Sequence, residues 1–316
     1  PDQTRSLYQH AVENRYAVLS INADSPAAIV DCLLTASELK SPVIIETSLW
    51  QLTGHSFGAG DPLLGVNRYI ECLRLLGADS RFEEVPIVYH TDHIKGPDTY
   101  GILTHAMAAS ASSISLDSSD LSAEENIRLL GQLCTFATEN GLPATLEMEA
   151  GVDDGVTPLE ETRSLFGSVE KLHPGYLALW APGSGTQHGL GDMGGFDPDA
   201  VQRHQTLASD LAGRAIGIAL HGSSGLTPDQ LKAAVQAGVA KVNWSSESLL
   251  IRSGALRRYY TEKAEQLEKG HPDFKTTAMD HGPQQFVSSL YRPIVAERLQ
   301  HLGSPGQAAS FLQSLN

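Results

Sequence analysis

Eight short apolar runs, separated by longer amphipathic segments, constrain this chain more than any other feature of its sequence. The runs lie at 17–22, 42–48, 85–92, 112–117, 144–150, 176–181, 215–221 and 240–245. Between them the spacing of apolar residues predicts helices near 26–39, 64–77, 98–109, 122–139, 160–171, 198–212 and 228–236. Strands alternating with helices read as repeated βα units around a parallel sheet, and eight such units close a (β/α)8 TIM barrel. A doubly wound open sheet is the competing α/β solution. The first run, however, leads into Asn22-Ala23-Asp24-Ser25-Pro26 rather than a Gly-x-Gly-x-x-Gly turn. Ser25 there suits a helix cap and Pro26 the first helical turn. No low-complexity linker divides the chain, so residues 1–316 read as a single domain with extra C-terminal helices over 246–316. In that extension, Arg252 to Lys269 and Gln284 to Leu302 read as helices on either side of Gly270-His271-Pro272. Such an element suits contacts in a homodimer or homotetramer.

Charge narrows the partners. With 22 Lys+Arg against 37 Asp+Glu the formal net charge is −15, which disfavours nucleic acid, because a basic field is needed to replace the counterions around phosphate. A small anionic substrate stays open, since a local pocket can oppose the global field. Cys32, Cys72 and Cys134 form no Cys-x-x-Cys pair, so neither a disulfide framework nor a thiolate zinc site is expected. No apolar stretch approaches the roughly 18 residues of a membrane helix. The amino terminus lacks a basic-then-apolar signal pattern. These features point to a cytoplasmic location and to no membrane partner.

The placement of polar residues carries the functional signal. Almost every run ends on its carboxyl side in a polar side chain: Asn22, Ser48, His90 to His93, Asp117, Glu147 with Glu149, His221 and Asn243. In a barrel those ends form the one face where active sites occur. Three histidines from separate strand ends, His93, His188 and His221, have suitable contexts for binding a metal. Three converging imidazoles leave an open position of the kind catalytic zinc needs. A lone histidine would more simply cap a strand or pack on an aromatic; three beside Asp92 and Glu149 favour the metal. Alternation along a regular strand sends His90 and Asp92 to one side and Thr91 and His93 to the other, unless the strand end bends.

Specific motifs extend this reading. His90-Thr91-Asp92-His93, Leu146-Glu147-Met148-Glu149, His221-Gly222-Ser223-Ser224-Gly225 and Lys241-Val242-Asn243 resemble, in order, motifs of the class II, zinc-dependent fructose-bisphosphate and tagatose-bisphosphate aldolases. So do Leu116-Asp117 with Glu124-Glu125-Asn126-Ile127, and the closing His301-Leu302-Gly303-Ser304. The resemblance implies a lyase that makes or breaks a carbon–carbon bond of a sugar or sugar phosphate through a zinc-stabilised enediolate. It implies Zn2+, or another divalent ion, on His93, His188 and His221, with Asp117 and Glu149 at a second or resting metal position; a monovalent cation is a further candidate. Asp92 would exchange a proton with the acceptor's oxygen. Asn22, Ser48 and Asn243 would line the substrate pocket, and backbone N–H groups near Gly189, Gly222 and Ser224 would cradle phosphate.

Four departures qualify the substrate. His188-Gly189-Leu190-Gly191-Asp192 puts a carboxylate where the family carries a lysine for the donor's phosphate. Asn243-Trp244-Ser245-Ser246 replaces Asn-x-Asp-Thr. The loop Gly151-Val152-Asp153-Asp154-Gly155 is short, leaving Asp153 as the nearest counterpart of the catalytic glutamate. Trp50 and Gly54-His55-Ser56-Phe57-Gly58 follow Ser48 as an insertion. The expectation is therefore a divergent member whose metal site is kept and whose donor-phosphate site is altered. The alternatives are an ordinary ketose-1,6-bisphosphate aldolase using a cation such as Lys95, another metal-dependent enolate lyase or epimerase, and a non-catalytic binding subunit. Intact metal residues and Asp92 disfavour the last.

Overall fold

All eight apolar runs form strands: β1 (Val18–Asn22), β2 (Val43–Thr47), β3 (Ile87–Ile94), β4 (Ser113–Leu116), β5 (Leu146–Ala150), β6 (Leu177–Pro182), β7 (Gly217–Leu220) and β8 (Val239–Trp244). The structure, a computed structural model, describes residues 1–117, 120–151, 153, 155–190 and 195–315. Each strand pairs in parallel with its sequence neighbours, and β8 pairs back onto β1, closing the (β/α)8 TIM barrel. Ser25 accepts a hydrogen bond from the Ala28 N–H and starts the helix Pro26–Leu39. The pattern at 160–171 resolves into Leu159–Glu161, a π-helical turn Thr162–Phe166, and Gly167–Leu172. The wide turn carries buried Thr162 onto His204 Nδ1 at 2.6 Å, while His204 Nε2 donates to the Thr157 carbonyl.

Two additions lie outside the repeat. The helix Asp2–Glu13, not among the expected elements, plugs the amino-terminal end of the barrel. Its Leu7, Tyr8 and Ala11 pack against Val18, Ile44, Val88 and Ala240. The expected C-terminal extension is present, with shifted boundaries. Its first helix runs Ser246–Glu262, starting directly after β8 and ending before the 3-10 turn Ala264–Leu267, so the helix expected over 252–269 begins and ends earlier. The second is His281–His301, and Gln307–Ser314 follows. Among the described residues no helix is long and apolar enough to cross a membrane.

A buried ion pair fastens this extension to the barrel wall. Arg252 donates to Asp31 at 2.8 Å and lies 5.0 Å from the Tyr291 ring centre. Removing one partner of such a pair strands the other charge away from water. Arg252→Ala is expected to lower stability by about 3–5 kcal/mol, read as a lower urea midpoint. Arg252→Met combined with Asp31→Asn is expected to recover part of that loss, because no charge is then left unpaired.

Candidate active site

The polar strand ends converge on the carboxyl-terminal mouth of the barrel, around a cavity of about 530 Å3. Every residue given a catalytic, metal-holding or substrate-lining role from the sequence lines it except His221, which is buried against His93; His90, Glu147 and Trp244 do not. A break in β3 brings Asp92 and His93 to the same side. The register against β4 shifts between Thr91 and Ile94, and His93 takes a φ of 47°. A positive φ is uncommon for a residue with a Cβ, and a bulge of this kind re-aims a side chain.

The three histidines meet here. Ring centres of His93 and His188 are 4.7 Å apart, and those of His93 and His221 are 4.6 Å apart. Each ring is backed by carboxylate. His93 Nδ1 donates to Asp117 at 3.1 Å and lies 3.2 Å from Glu149. His221 Nε2 donates to Glu147 at 2.7 Å. His188 Nδ1 donates to Asp153 at 2.9 Å, and Asp153 also accepts the His188 backbone N–H. With the outer nitrogens of His93 and His221 committed, their inner nitrogens face each other at 2.9 Å. Two lone pairs at that distance repel unless a proton or a cation sits between the rings. Burial opposes charging His93, but Asp92, Glu149 and Asp117 outweigh it and hold its pKa well above the ordinary imidazole value. His221 is raised likewise, by Glu149 and Glu147 against burial. His188 moves down, through burial and then the neighbouring His221 and His93. Ligand atoms of the three lie within 4.8 Å of one another. Imidazoles oriented by carboxylates, and neutral once a cation takes the place of the proton between them, are the donor set a divalent ion such as zinc takes, so the residues fit the metal.

Beneath this centre lies a charged cluster whose core the sequence reading missed. Lys241, fully buried inside the barrel, lies 3.0 Å from Glu147 and 3.3 Å from Glu46. Its ammonium donates to Asn243 Oδ1 at 2.6 Å, and Asn243 Nδ2 donates to Asp92 Oδ1 at 3.0 Å. Lysine offers only donors, so this contact fixes which end of the Asn243 amide faces Asp92. Burial would raise the Asp92 pKa, but His93, Lys241 and His221 keep it below the usual carboxylate value. Glu147 is depressed further, because Lys241 and His221 overcome burial. Glu46 goes the other way, pushed up to about 7 by burial and then by Asp92. The available signal was period two: Ser20 with Asn22, His90 with Asp92, Glu147 with Glu149, and Lys241 with Asn243 share inward faces within apolar runs.

The expected anion cradle lies over β7 and β8. Gly222 has a φ of 61°, and a Cβ there would come within 2.6 Å of the Gln187 carbonyl, so only glycine lets the loops bearing His188 and His221 touch. The Ser224 hydroxyl accepts the Glu247 N–H and is thereby engaged at the start of the helix Ser246–Glu262. Arg298, from the C-terminal extension, braces this corner. It donates to the Ser223 carbonyl at 2.7 Å and to Glu247 at 2.9 Å, and lies 4.9 Å from the Trp244 ring centre. Trp244 is thus buried away from the cavity. Ser48 donates to Gln51 Oε1 at 2.6 Å. Lys95 sits between Asp117 and Asp120 at 3.0 and 3.2 Å. The expectation attached to Asp192 falls outside the described residues.

A closed parallel barrel with histidines, aspartate and glycine-bearing turns at its carboxyl-terminal mouth defines a class of enzyme, and comparison with known proteins identifies the family. The chain belongs to the family described as fructose-bisphosphate aldolase class-II, whose model matches residues 2–306. Aldolases are lyases. The fructose-bisphosphate aldolase of Mycoplasma pneumoniae is 26% identical over 96% of this chain and 98% of that protein. The fold is shared with the crystal structure of fructose-bisphosphate aldolase from Campylobacter jejuni, at a TM-score of 0.80 and 22% identity over 94% of this chain and 93% of that one. It is also shared with the YdjI aldolase of Escherichia coli K12, at 0.72 and 20% over 96% and 98%.

The raised Glu46 pKa gives a pH dependence. A carboxyl that binds its proton more tightly when folded loses stability as pH rises from its unfolded value of 4.5 through about 7. Urea unfolding of chelator-treated protein is expected to show this decline, and Glu46→Gln to flatten it. Glu147→Gln is expected to destabilise at neutral pH instead, since Glu147 is held ionised by Lys241 and His221.

Proposed function

We propose that the chain is a metal-dependent class II aldolase that reversibly cleaves a ketose or ketose phosphate, with a donor-phosphate site unlike that of an ordinary family member. The observation that carries this reading is the 2.9 Å approach of His221 Nδ1 and His93 Nε2, with a carboxylate behind each ring. His93, His188 and His221 would hold a divalent ion, zinc by the chemistry of the donor set. When bound, such an ion polarises the donor's carbonyl and stabilises the negative charge that develops beside it.

The remaining tasks fall to side chains of the chain itself. Asp92, buried and kept ionised, gives a proton to the acceptor's oxygen in synthesis, after taking one up, and removes it in cleavage. Asn243, locked by Lys241, holds Asp92 in place. Backbone N–H groups near Gly222 and Ser224, with the start of the helix Ser246–Glu262, receive the anionic end of a donor. Asp117 and Glu149 orient His93 and offer the oxygens of a second metal position.

Asp153 was expected to be the base that removes the donor's proton. Its carboxylate accepts both the backbone N–H and Nδ1–H of His188, which keeps its pKa down despite burial. A carboxylate so engaged is a weak base, and we assign it to orienting His188. The name carried by the relative from Mycoplasma pneumoniae favours a second reading, an ordinary fructose-bisphosphate aldolase, in which Lys95 would meet a phosphate.

Chelation is expected to abolish aldol cleavage and Zn2+ to restore it, whereas His93→Ala is expected to stay inactive at any zinc level; full activity of a His93→Ala, His221→Ala enzyme contradicts the proposal. Asp153→Asn separates its two roles. Loss of an orienting carboxylate weakens metal binding about 10–100-fold. Loss of a general base instead lowers kcat of the zinc-saturated enzyme by about 100-fold or more.

A further inference from the structure

We infer that the acceptor side of the cavity receives an uncharged aldehyde, so that the preferred substrate is a ketose with no phosphate at the end remote from the donor. This rests on the aldolase reading above and adds the chemical class of the acceptor.

Placement comes first. The anion cradle belongs to the turns after β7 and β8, and Asp92, which serves the acceptor's oxygen, belongs to β3. Strands β1 and β2 lie between β8 and β3 in the closed barrel. An acceptor whose carbonyl reaches Asp92 therefore extends over the turns of β1 and β2. The cavity is lined there by Asn22, Ser48, Leu49 and Trp50, an amide, a hydroxyl, an alkyl chain and an indole. None carries charge.

The electrostatics of the mouth agree. Among the described lining residues Lys95 is the single fixed cation, and its ammonium already lies within 3.2 Å of both Asp117 and Asp120. Residues 118–119, 152, 154, 191–194 and 316 include no lysine or arginine. Five carboxylates, of Asp92, Asp117, Asp120, Glu149 and Asp153, line the same cavity. Phosphate recognition ordinarily uses charge-assisted donors, arginine above all. A second phosphate dianion here would meet carboxylates and neutral groups.

Trp50 supplies the positive side of the argument. Its indole is 86% exposed and lines the cavity, so its face is open to whatever occupies the acceptor side. The turn beneath it is capped and closely packed. Ser48 N–H donates to Gln51 Oε1 at 2.9 Å in a capping box, and Leu52 is buried. Gly58 and Gly65 press so closely on Leu52 that a Cβ would come within 1.8 and 2.1 Å of its carbonyl oxygen. An indole held out on such a base stacks well on the C–H face of a hydroxylated carbon chain. Its π face is the negative end of a quadrupole and offers a dianion nothing. The condensation itself needs no remote charge: the donor's deprotonated carbon bonds to the aldehyde carbon, and the aldehyde oxygen takes up one proton.

The test uses the metal-loaded full chain in two stages. Hydrogen exchange at the donor carbon, without acceptor, is measured for dihydroxyacetone and for dihydroxyacetone phosphate. Exchange with neither overturns the aldolase reading and the inference with it. With the exchanging donor, kcat/KM for condensation is compared between glyceraldehyde and glyceraldehyde 3-phosphate. The neutral aldehyde is expected to be favoured by about tenfold or more. Trp50→Arg is expected to narrow that ratio by improving the phosphorylated acceptor, and Trp50→Ala to raise KM for the neutral one more than it lowers kcat. Equal or better use of glyceraldehyde 3-phosphate by the unmodified protein, with exchange intact, overturns the inference alone.

Discussion

Two imidazole nitrogens 2.9 Å apart, each with its other nitrogen bound to carboxylate, is an arrangement that a folded chain must be made to hold. Left without a proton or cation, the inner lone pairs repel. Yet three carboxylates stand behind these two rings, and His188 arrives from a third loop with its own aspartate. The local rigidity of the mouth follows from this demand. Gly222 allows the two histidine-bearing loops to touch, the bulge in β3 swings His93 inward, and Arg298 ties the β7 and β8 turns to the C-terminal extension.

Charge inside the barrel meets the same demand from below. Lys241 is one cation among Glu46, Glu147 and Asp92, so it cannot neutralise all three. The carboxylates therefore divide: Glu147 stays ionised against Lys241 and His221, while Glu46, pushed up to about 7, shares a proton with solution conditions. Because Lys241 can only donate, it also sets the Asn243 amide and through it the bond to Asp92. Burying such a group costs stability compared with an apolar filling; what it secures is the direction of one amide at Asp92.

How much of this was legible in the sequence follows from which interactions are local. All eight strands were, because apolar runs and turn chemistry are written in neighbouring residues. Ser25 with Pro26 marked a helix start that the backbone adopts. The residues that line the cavity were legible as a set, because polar side chains recur at strand ends. Their individual tasks were less so. Regular alternation places His93 opposite Asp92, and only the register slip against β4 reverses that. Asp153 read as a base by position in its loop, whereas its pairing with His188 depends on a loop 35 residues away in sequence. The helix Asp2–Glu13 takes its meaning from the barrel end it covers, which no local pattern announces.

The central claim is that His93, His188 and His221 form one metal centre. Titration of cobalt(II) into chelator-stripped protein, followed by its visible absorption bands, tests this most directly, because it reads coordination without any substrate. One equivalent per chain with intense four- or five-coordinate bands is predicted, with those bands lost in His221→Ala and in His188→Ala. Unchanged bands and stoichiometry in both variants would contradict it.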